Sequence, residues 1–345
     1  MQELSARNRF NRRNPLQSDI VFADIAIDAT PQPDRVRIPM QSDAAGQAIA
    51  IAWKQETAEA PWTKRDSMGW AVFQDKMWFL GGFIPTRVND VWSSGDGVNW
   101  EEVTPAAPWP KRNLPCTLVY ADKLWIFAGA DNPHVSLNDV WCSGDGKHWE
   151  AATLDAPWGK RSAASAVVFD GRMWLFGGFD IEKLHHCQDV WTSTDGKHWD
   201  LVEEHAPWSA RSMQTSVVFD GKMWLMGGGV YNTNYPNNTV VNHNDVWCTT
   251  DGKSWEMVAV AAAWQERRFH ASAVYDDKMW IIGGHHNGNR NDVWFSADGA
   301  HWTEAVGDPI WPIRHAPVCL TYRDKLWVIG GFGDTLYNDV WSYQR

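Results

Sequence analysis

The triplet Asp-Val-Trp recurs six times along the chain, and this internal repeat constrains the fold more than any other feature of the sequence. After each of the first five triplets, another Trp follows at eight residues and a further one nine residues later. Units of about 50 residues with their own apolar segments are typical of stacked supersecondary repeats, so the sequence predicts a repeat protein. The triplets end at Trp92, Trp141, Trp191, Trp247, Trp294 and Trp341.

The sixth repeat is split between the two ends of the chain. It contains Trp327 and Trp341 but lacks the two tryptophans that follow the triplet elsewhere, and Trp53 and Trp62 have the nine-residue spacing of that missing pair. With one more Trp ahead of each triplet, six sets of four account for all but one of the 25 tryptophans and leave Trp70 over. A repeat shared by both ends predicts a closed ring in which an N-terminal strand completes the last unit.

Each repeat has the pattern of four β-strands. In the third repeat these are Ser162–Phe169, Arg172–Gly178, Asp189–Ser193 and Trp199–Glu203. Asp-Gly, a strong hairpin signal because both residues tolerate positive φ, stands between the last two strands of every complete repeat. The second strands are apolar on both faces, and no segment has helical periodicity. The sequence therefore predicts an all-β fold, a six-bladed β-propeller of four-stranded blades.

Gly-Gly at the end of the second strand, followed by Trp in the third, resembles the Kelch repeat of galactose-oxidase-like β-propellers. The resemblance covers residues 47–345, and residues 1–46 form an Arg-rich extension that is either a solvated tail or partly ordered against the propeller. The sequence lacks the usual Kelch Tyr between Gly-Gly and Trp. It adds a Ser-x-Asp-Gly-x-x-Trp motif similar to the Asp-box of sialidases, which hairpin chemistry alone explains.

The charge balance restricts the partners. The chain has 31 Lys and Arg against 42 Asp and Glu, a net charge of −11, which argues against nucleic acid and anionic lipid. No apolar run approaches the roughly 20 residues of a membrane helix, and the N-terminus lacks the apolar segment of a secretory signal. Five Cys without close pairs predict neither a disulfide framework nor a zinc knuckle. We expect a cytoplasmic monomer without nucleic-acid or membrane partners.

Trp-x-x-Arg occurs at the entrance of every innermost strand and yields six equivalent arginines. Near a channel mouth, guanidinium groups can hold a carboxylate or phosphate through bidentate hydrogen bonds. The resemblance implies the same, because Kelch-type substrate adaptors hold acidic peptides with Arg at matching places. The alternative is structural, with each Arg paired to the equally repeated Asp of the triplet. These arginines are Arg65, Arg112, Arg161, Arg211, Arg267 and Arg314.

The connection between the second and third strands is the variable part of the repeat. Its Trp-to-Trp interval ranges from 14 to 23 residues, and in a propeller it emerges on the same face as the Trp-x-x-Arg segments. Loops of unequal length on a rigid scaffold are where recognition usually resides. The fourth connection, with Tyr231 and Tyr235, is long enough to fold over the channel, and Trp70 either packs in the core or offers a stacking surface. We expect this face to bind a small polar or anionic molecule, or a peptide segment.

Histidines are concentrated in blades five and six, where His270, His285, His286 and His315 accompany Arg268. Imidazoles gathered in this way can bind a transition metal such as Fe, Cu, Zn or Mn, or act as general acid and base near pH 7. The alternative is a polar channel mouth with hydrated imidazoles. The sequence predicts no other cofactor.

A binding propeller is the prediction, and an enzyme is the alternative. The resemblance allows an isomerase or lyase that acts on a sugar acid or another small molecule, because six-bladed Kelch propellers include a sialic-acid mutarotase and the family also contains iron-dependent nitrile-specifier proteins. The candidate catalytic residues are His270, His315, Glu182 and Glu266, and Glu266 and His270 match one step of the iron-ligand spacing in the latter proteins.

Overall fold

The predicted six-bladed propeller is confirmed by a computed structural model, which describes residues 48–231, 240–308 and 310–345. Six antiparallel sheets of the predicted four strands make up the blades, and the described residues contain no helix. The predicted extension, residues 1–46, lies outside the described part of the chain. Within each of blades one to five, the chain runs from the innermost strand to the outermost, as the repeats predict.

The strands of each blade follow one another from the channel outward. Blade one contains Gly69–Phe73, Lys76–Phe83, Arg87–Ser94 and Glu101–Thr104. Blade two contains Cys116–Tyr120, Lys123–Phe127, Val140–Ser143 and Glu150–Thr153. Blade three contains Ser165–Phe169, Arg172–Phe176, Val190–Ser193 and Asp200–Glu203. Blade four contains Thr215–Phe219, Lys222–Tyr231, Val240–Thr249 and Glu256–Ala259. Blade five contains Ala271–Tyr275, Lys278–His285, Asn289–Ser296 and Thr303–Gly307. Blade six contains Val318–Tyr322, Lys325–Phe332, Leu336–Tyr343 and Lys54–Thr57.

The outermost strand of blade six comes from the other end of the described chain. Lys54–Thr57 pairs antiparallel with Leu336–Tyr343, and Lys54 lies opposite Ser342. Trp53, just before this strand, is buried against Trp311. The sixth sheet is therefore assembled from segments that lie near opposite ends of the sequence.

Three short additions to the sheets were not predicted. Ile49–Ile51 pairs in parallel with the outermost strand of blade five and covers its edge. In the variable connections of blades two and three, Ala130–Asn132 pairs with Val135–Ser136, and Phe179–Asp180 pairs with His185–His186. Runs of two or three residues are too short for a strand periodicity to be recognised in the sequence.

The tryptophans explain how neighbouring blades hold together. The Trp of each connection leaving a blade packs edge-to-face against the Trp that precedes the outermost strand of the next blade, with ring centroids 5.9 to 6.2 Å apart. Edge-to-face pairs of this kind stabilise by about 1 kcal/mol each beyond the burial of their area. The six pairs are Trp62–Trp100, Trp109–Trp149, Trp158–Trp199, Trp208–Trp255, Trp264–Trp302 and Trp311–Trp53.

Six backbone hydrogen bonds form a closed circle around the central channel. Two residues after each Trp-x-x-Arg arginine, a residue with φ between 48° and 58° donates its N–H to the carbonyl of the equivalent residue in the preceding blade, at 2.7 to 3.2 Å. We call this circle the backbone ring. Its members are Ser67, Leu114, Ala163, Met213, Phe269 and Ala316.

Candidate functional site

Each of the six repeated arginines forms a bidentate ion pair with the triplet Asp of its own blade. The two guanidinium nitrogens of each Arg donate to the two carboxylate oxygens at 2.6 to 2.9 Å. All six arginines are at most 3% exposed, and the triplet Trp donates its indole N–H to the same Asp. The Asp partners are Asp90, Asp139, Asp189, Asp245, Asp292 and Asp339.

This geometry matches the structural alternative for the six arginines. One nitrogen of each guanidinium also donates to a backbone carbonyl of the same blade, so Arg112 binds the carbonyl of Ala128 as well as Asp139. A ligand would have to break a buried bidentate pair to reach any of these groups. Ligand binding by the six arginines stays a prediction.

The residue directly after each repeated arginine differs from blade to blade and lies at the mouth of the channel. Its backbone pairs with the residue that follows the glycines of the second strand, for example Arg268 with His285 and His315 with Phe332. Blades three and four carry only Ser at this position, whereas blades one, five and six carry ionisable groups. The six residues are Asp66, Asn113, Ser162, Ser212, Arg268 and His315.

Ionisable and amide side chains of blades one, five and six converge at this mouth, and we call Asp66, Arg268, His285, Asn289 and His315 the mouth cluster. Asn289 donates from Nδ2 to the carbonyl of Gly333, so its Oδ1 faces His315 Nδ1 at 2.7 Å. The proton of the neutral imidazole therefore lies on Nδ1, as this amide orientation requires.

The other contacts of the mouth cluster link its members across the blades. His315 Nε2 points toward Asp66 Oδ2 at 3.9 Å, and the His285 and His315 rings are perpendicular, with centroids 5.9 Å apart. Arg268 donates to Asn242 Oδ1 at 3.0 Å. These contacts connect side chains of four neighbouring blades, four, five, six and one.

Burial and neighbouring charges shift the ionisation of the mouth cluster. Burial raises the pKa of Asp66 to about 7, against the opposing effects of a hydrogen bond from Ser67 and the charge of Arg87. Burial, and then the Arg268 charge, lowers the pKa of His285 to about 4. Burial together with His285 and Arg268 lowers the pKa of His315 to about 3. Both imidazoles are therefore neutral at pH 7, and the positive charge of the cluster is that of Arg268.

Replacement Asp66→Asn should stabilise the protein increasingly as the pH rises. The pKa of Asp66 is above its ordinary 3.8, so the folded protein keeps a proton that the unfolded chain releases, and stability falls as pH rises toward 7. Asn cannot ionise, and we expect its advantage to grow by on the order of 2 to 3 kcal/mol between pH 5 and pH 8. Urea unfolding of both proteins at the two pH values measures this. An advantage that is the same at both pH values would contradict the raised pKa.

The structure brings only part of the predicted histidine group together, because His285 and His315 belong to the mouth cluster whereas His270 and His286 have other neighbours. His270 directly precedes the innermost strand of blade five, with Nε2 at 3.0 Å from Thr215 Oγ1 of blade four and its ring beside Trp264. Burial, and then the charge of Arg267, lowers its pKa to about 3. His286 faces Glu266 at 3.9 Å. Among the described residues, no three His, Cys, Asp or Glu side chains are arranged to hold a metal ion.

The remaining predicted site residues are dispersed. Glu182 pairs with Lys160 at 2.9 Å in the variable connection of blade three, and within the described chain none of the four catalytic candidates contacts another. Trp70 is half-buried and borders two adjoining cavities of the central channel. Tyr231 ends the second strand of blade four, and Tyr235 lies outside the described residues.

Two residues of interest were not selected from the sequence. Asp66 is the one acidic residue at its repeat position, and Gln214 is the one amide at the position three residues after the repeated Arg. Comparison of the repeats carries this signal, but burial, which gives these side chains their properties, is visible only in the structure.

Six four-stranded blades around a channel with a mouth of unlike side chains define a β-propeller of the recognition type. The family model of the KLHDC2/KLHL20/DRC7 Kelch-repeats domain matches residues 96–263, which include blades two, three and four. Over these residues the chain is similar to Kelch-repeat propellers, as the resemblance implied. No curated protein matches the chain. Such propellers serve binding and recognition, typically of protein or peptide partners. In the described residues, no helix is long and apolar enough to cross a membrane.

Proposed function

We propose that the protein binds an acidic peptide segment of a partner protein at the mouth cluster. The observation that carries this proposal is the convergence of Arg268, His285 and His315 at one side of the mouth, where the sixfold repetition breaks down. Residues that stabilise the propeller recur in every blade, whereas Arg268, His285 and His315 do not. Their role is therefore more than support of the scaffold.

The chemistry of the cluster suits a carboxylate. A planar guanidinium such as that of Arg268 binds carboxylates through paired charge-assisted hydrogen bonds. At and below pH 7, much of Asp66 is protonated, which reduces the repulsion that an ionised acid would exert on an anionic ligand. Phe269 and Phe332 flank His315, with ring centroids 5.2 and 5.4 Å from its own, and supply apolar surface for the rest of a peptide.

The enzyme alternative requires acid and base groups within reach of one substrate. The two glutamates named for it, Glu182 and Glu266, have their contacts in different blades and do not reach His315. An isomerase or lyase activity therefore stays a prediction without support from the site geometry. A small anionic molecule would use the same mouth cluster as an acidic peptide.

Selection of a phage-displayed random peptide library on the full chain tests the proposal. We expect enrichment of Asp and Glu over the unselected library. An enriched synthetic peptide, followed by fluorescence anisotropy, should bind Arg268→Gln at least tenfold more weakly, because a hydrogen bond to a charged group is worth about 1.5 to 3 kcal/mol. Arg172→Gln, the same change of charge at an exposed position of blade three, should leave the affinity unchanged.

Two results would count against the proposal. One is a set of selected peptides without acidic enrichment. The other is an acidic peptide that Arg268→Gln and Arg172→Gln bind equally well, because its binding would then depend on net charge and not on the mouth cluster. Thermal unfolding of each variant separates loss of binding from loss of the fold.

A further inference from the structure

Next to the mouth residues, the central channel contains a cavity of about 160 Å³, which we call the throat. Every blade contributes to its lining, so the throat lies on the axis of the propeller. Six of the lining residues are those of the backbone ring, and each of them directly follows a mouth residue in the chain. A ligand held at the mouth is therefore adjacent to this cavity.

The throat presents apolar surface that solvent reaches. Most of its lining residues are apolar, and Trp70, Leu114 and Phe269 among them are partly exposed. Leu114 and Phe269 belong to blades two and five, which face each other in a six-bladed ring, so they border the throat from opposite sides. Removal of such surface from water favours the binding of an apolar group.

The throat has no formal charge at neutral pH, in contrast to the mouth. Among the described residues, its lining contains no Asp, Glu, Lys or Arg, and burial, and then the charge of Arg267, lowers the pKa of its His270 to about 3. A carboxylate or a peptide backbone moved into the throat would lose hydrogen bonds to water that apolar side chains do not replace. The acidic part of a ligand is therefore favoured at the mouth, and an apolar side chain is favoured in the throat.

The volume of the throat matches one large apolar side chain. An apolar protein cavity of about 150 Å³ binds one benzene molecule, so about 160 Å³ accommodates the ring of Phe or the side chain of Leu or Met. Ser67, Ala163 and Ala316 are small residues at ring positions where the other blades carry Leu, Met or Phe. A larger side chain at one of these positions would fill part of the space.

Phe269 connects the throat with the mouth cluster. It directly follows Arg268, it lines the throat, and its ring centroid lies 5.2 Å from that of His315. One peptide can therefore contact both environments at once. We infer that the throat binds one apolar side chain, of the size of Leu, Met or Phe, from the acidic peptide proposed for the mouth cluster. This inference rests on the proposed function and adds an apolar residue close to the acidic one in the recognised segment.

Selection of the random peptide library on the full chain distinguishes the inference from the proposed function. We expect the selected peptides to share Leu, Met or Phe at a constant distance along the sequence from an Asp or Glu. Acidic enrichment without this apolar residue would overturn the inference and leave the proposed function standing. Selected peptides without acidic enrichment would contradict the proposed function, and the inference with it.

Two replacements measure the contribution of the throat by fluorescence anisotropy. A selected peptide whose apolar residue is changed to Ala should bind the unmodified protein at least tenfold more weakly, the equivalent of about 1.4 kcal/mol, because the burial of that side chain is lost. Ala163→Leu should fill the throat, weaken the parent peptide at least tenfold, and change the binding of the Ala-substituted peptide little. Leu114 has φ 51° at the equivalent position, so the backbone of Ala163, with φ 52°, accepts Leu.

Ala151→Leu, the same replacement at an exposed position of the outermost strand of blade two, is the matched control and should leave both affinities unchanged. Thermal unfolding shows whether each variant keeps the fold. A folded Ala163→Leu variant that binds the parent peptide as the unmodified protein does would overturn the inference. An Ala-substituted peptide that binds as tightly as its parent would do the same, and this measurement requires only the unmodified protein.

Discussion

We expect replacement of Asp139 by alanine to lower the free energy of unfolding by about 3 to 5 kcal/mol. The change would leave the guanidinium of Arg112, which is 0% exposed, without its carboxylate, and would remove the acceptor of the Trp141 indole. A buried charge that loses its partner is strongly destabilising, because neither water nor another group replaces the lost interaction. Urea denaturation followed by circular dichroism measures the effect.

Two controls separate this effect from general damage. Glu150→Ala breaks the exposed ion pair of Lys123 and Glu150 in the same blade and should cost less than about 1 kcal/mol. The double replacement Arg112→Met with Asp139→Leu removes both charges and should recover much of the lost stability. If Asp139→Ala lowered the free energy of unfolding no more than Glu150→Ala does, the buried ion pair would not stabilise the fold. Ligand binding would then again be the favoured role of the repeated arginines.

Gly146→Ala is expected to destabilise the protein by about 2 to 4 kcal/mol. Gly146 has φ 73°, where an L-residue costs about 1 to 2 kcal/mol, and an added Cβ would collide with the Trp78 ring of the preceding blade. The Asp-Gly turn is thus a point of contact between blades as well as a tight turn. Equivalent glycines pack in the same way on Trp327, Trp125, Trp174 and Trp224.

Gly144→Ala, two residues earlier in the same turn, is the matched control. A Cβ added there meets no atom within 4 Å, so we expect a change within about 0.5 kcal/mol. Differential scanning calorimetry of the two variants compares them directly. A similar loss of stability in both would mean that the backbone of the turn, and not the contact with Trp78, determines the effect.

The fold was predictable because its determinants recur in the sequence. Each Trp of the repeat has the same structural role in every blade. The tryptophans therefore recur at regular intervals, and these intervals can be counted in the sequence. Even the split sixth repeat was recognisable, since Trp53 and Trp62 keep the spacing of their equivalents. The strand Ile49–Ile51 was missed because it occurs once and is only three residues long.

The site was less predictable because it depends on distances between side chains from different blades. His270 and His315 seemed to belong together, yet the structure directs His270 toward Thr215 of blade four and His315 toward Asn289 and Asp66. A shift along a strand moves a side chain to another environment, and sequence spacing alone does not reveal which. The choice between ligand and Asp as the partner of Arg65 likewise required coordinates.

The backbone ring separates how this protein is built from what it recognises. Its six hydrogen bonds use main-chain atoms alone, so they place no demand on the side chains of Leu114, Met213 or Phe269, which differ in size and chemistry. The adjoining mouth residues are likewise held through their backbone pairs. The side chains of the backbone ring and of the adjoining mouth residues can therefore be replaced one at a time, by evolution or by design. Each replacement can change the binding specificity while the backbone of the propeller stays the same.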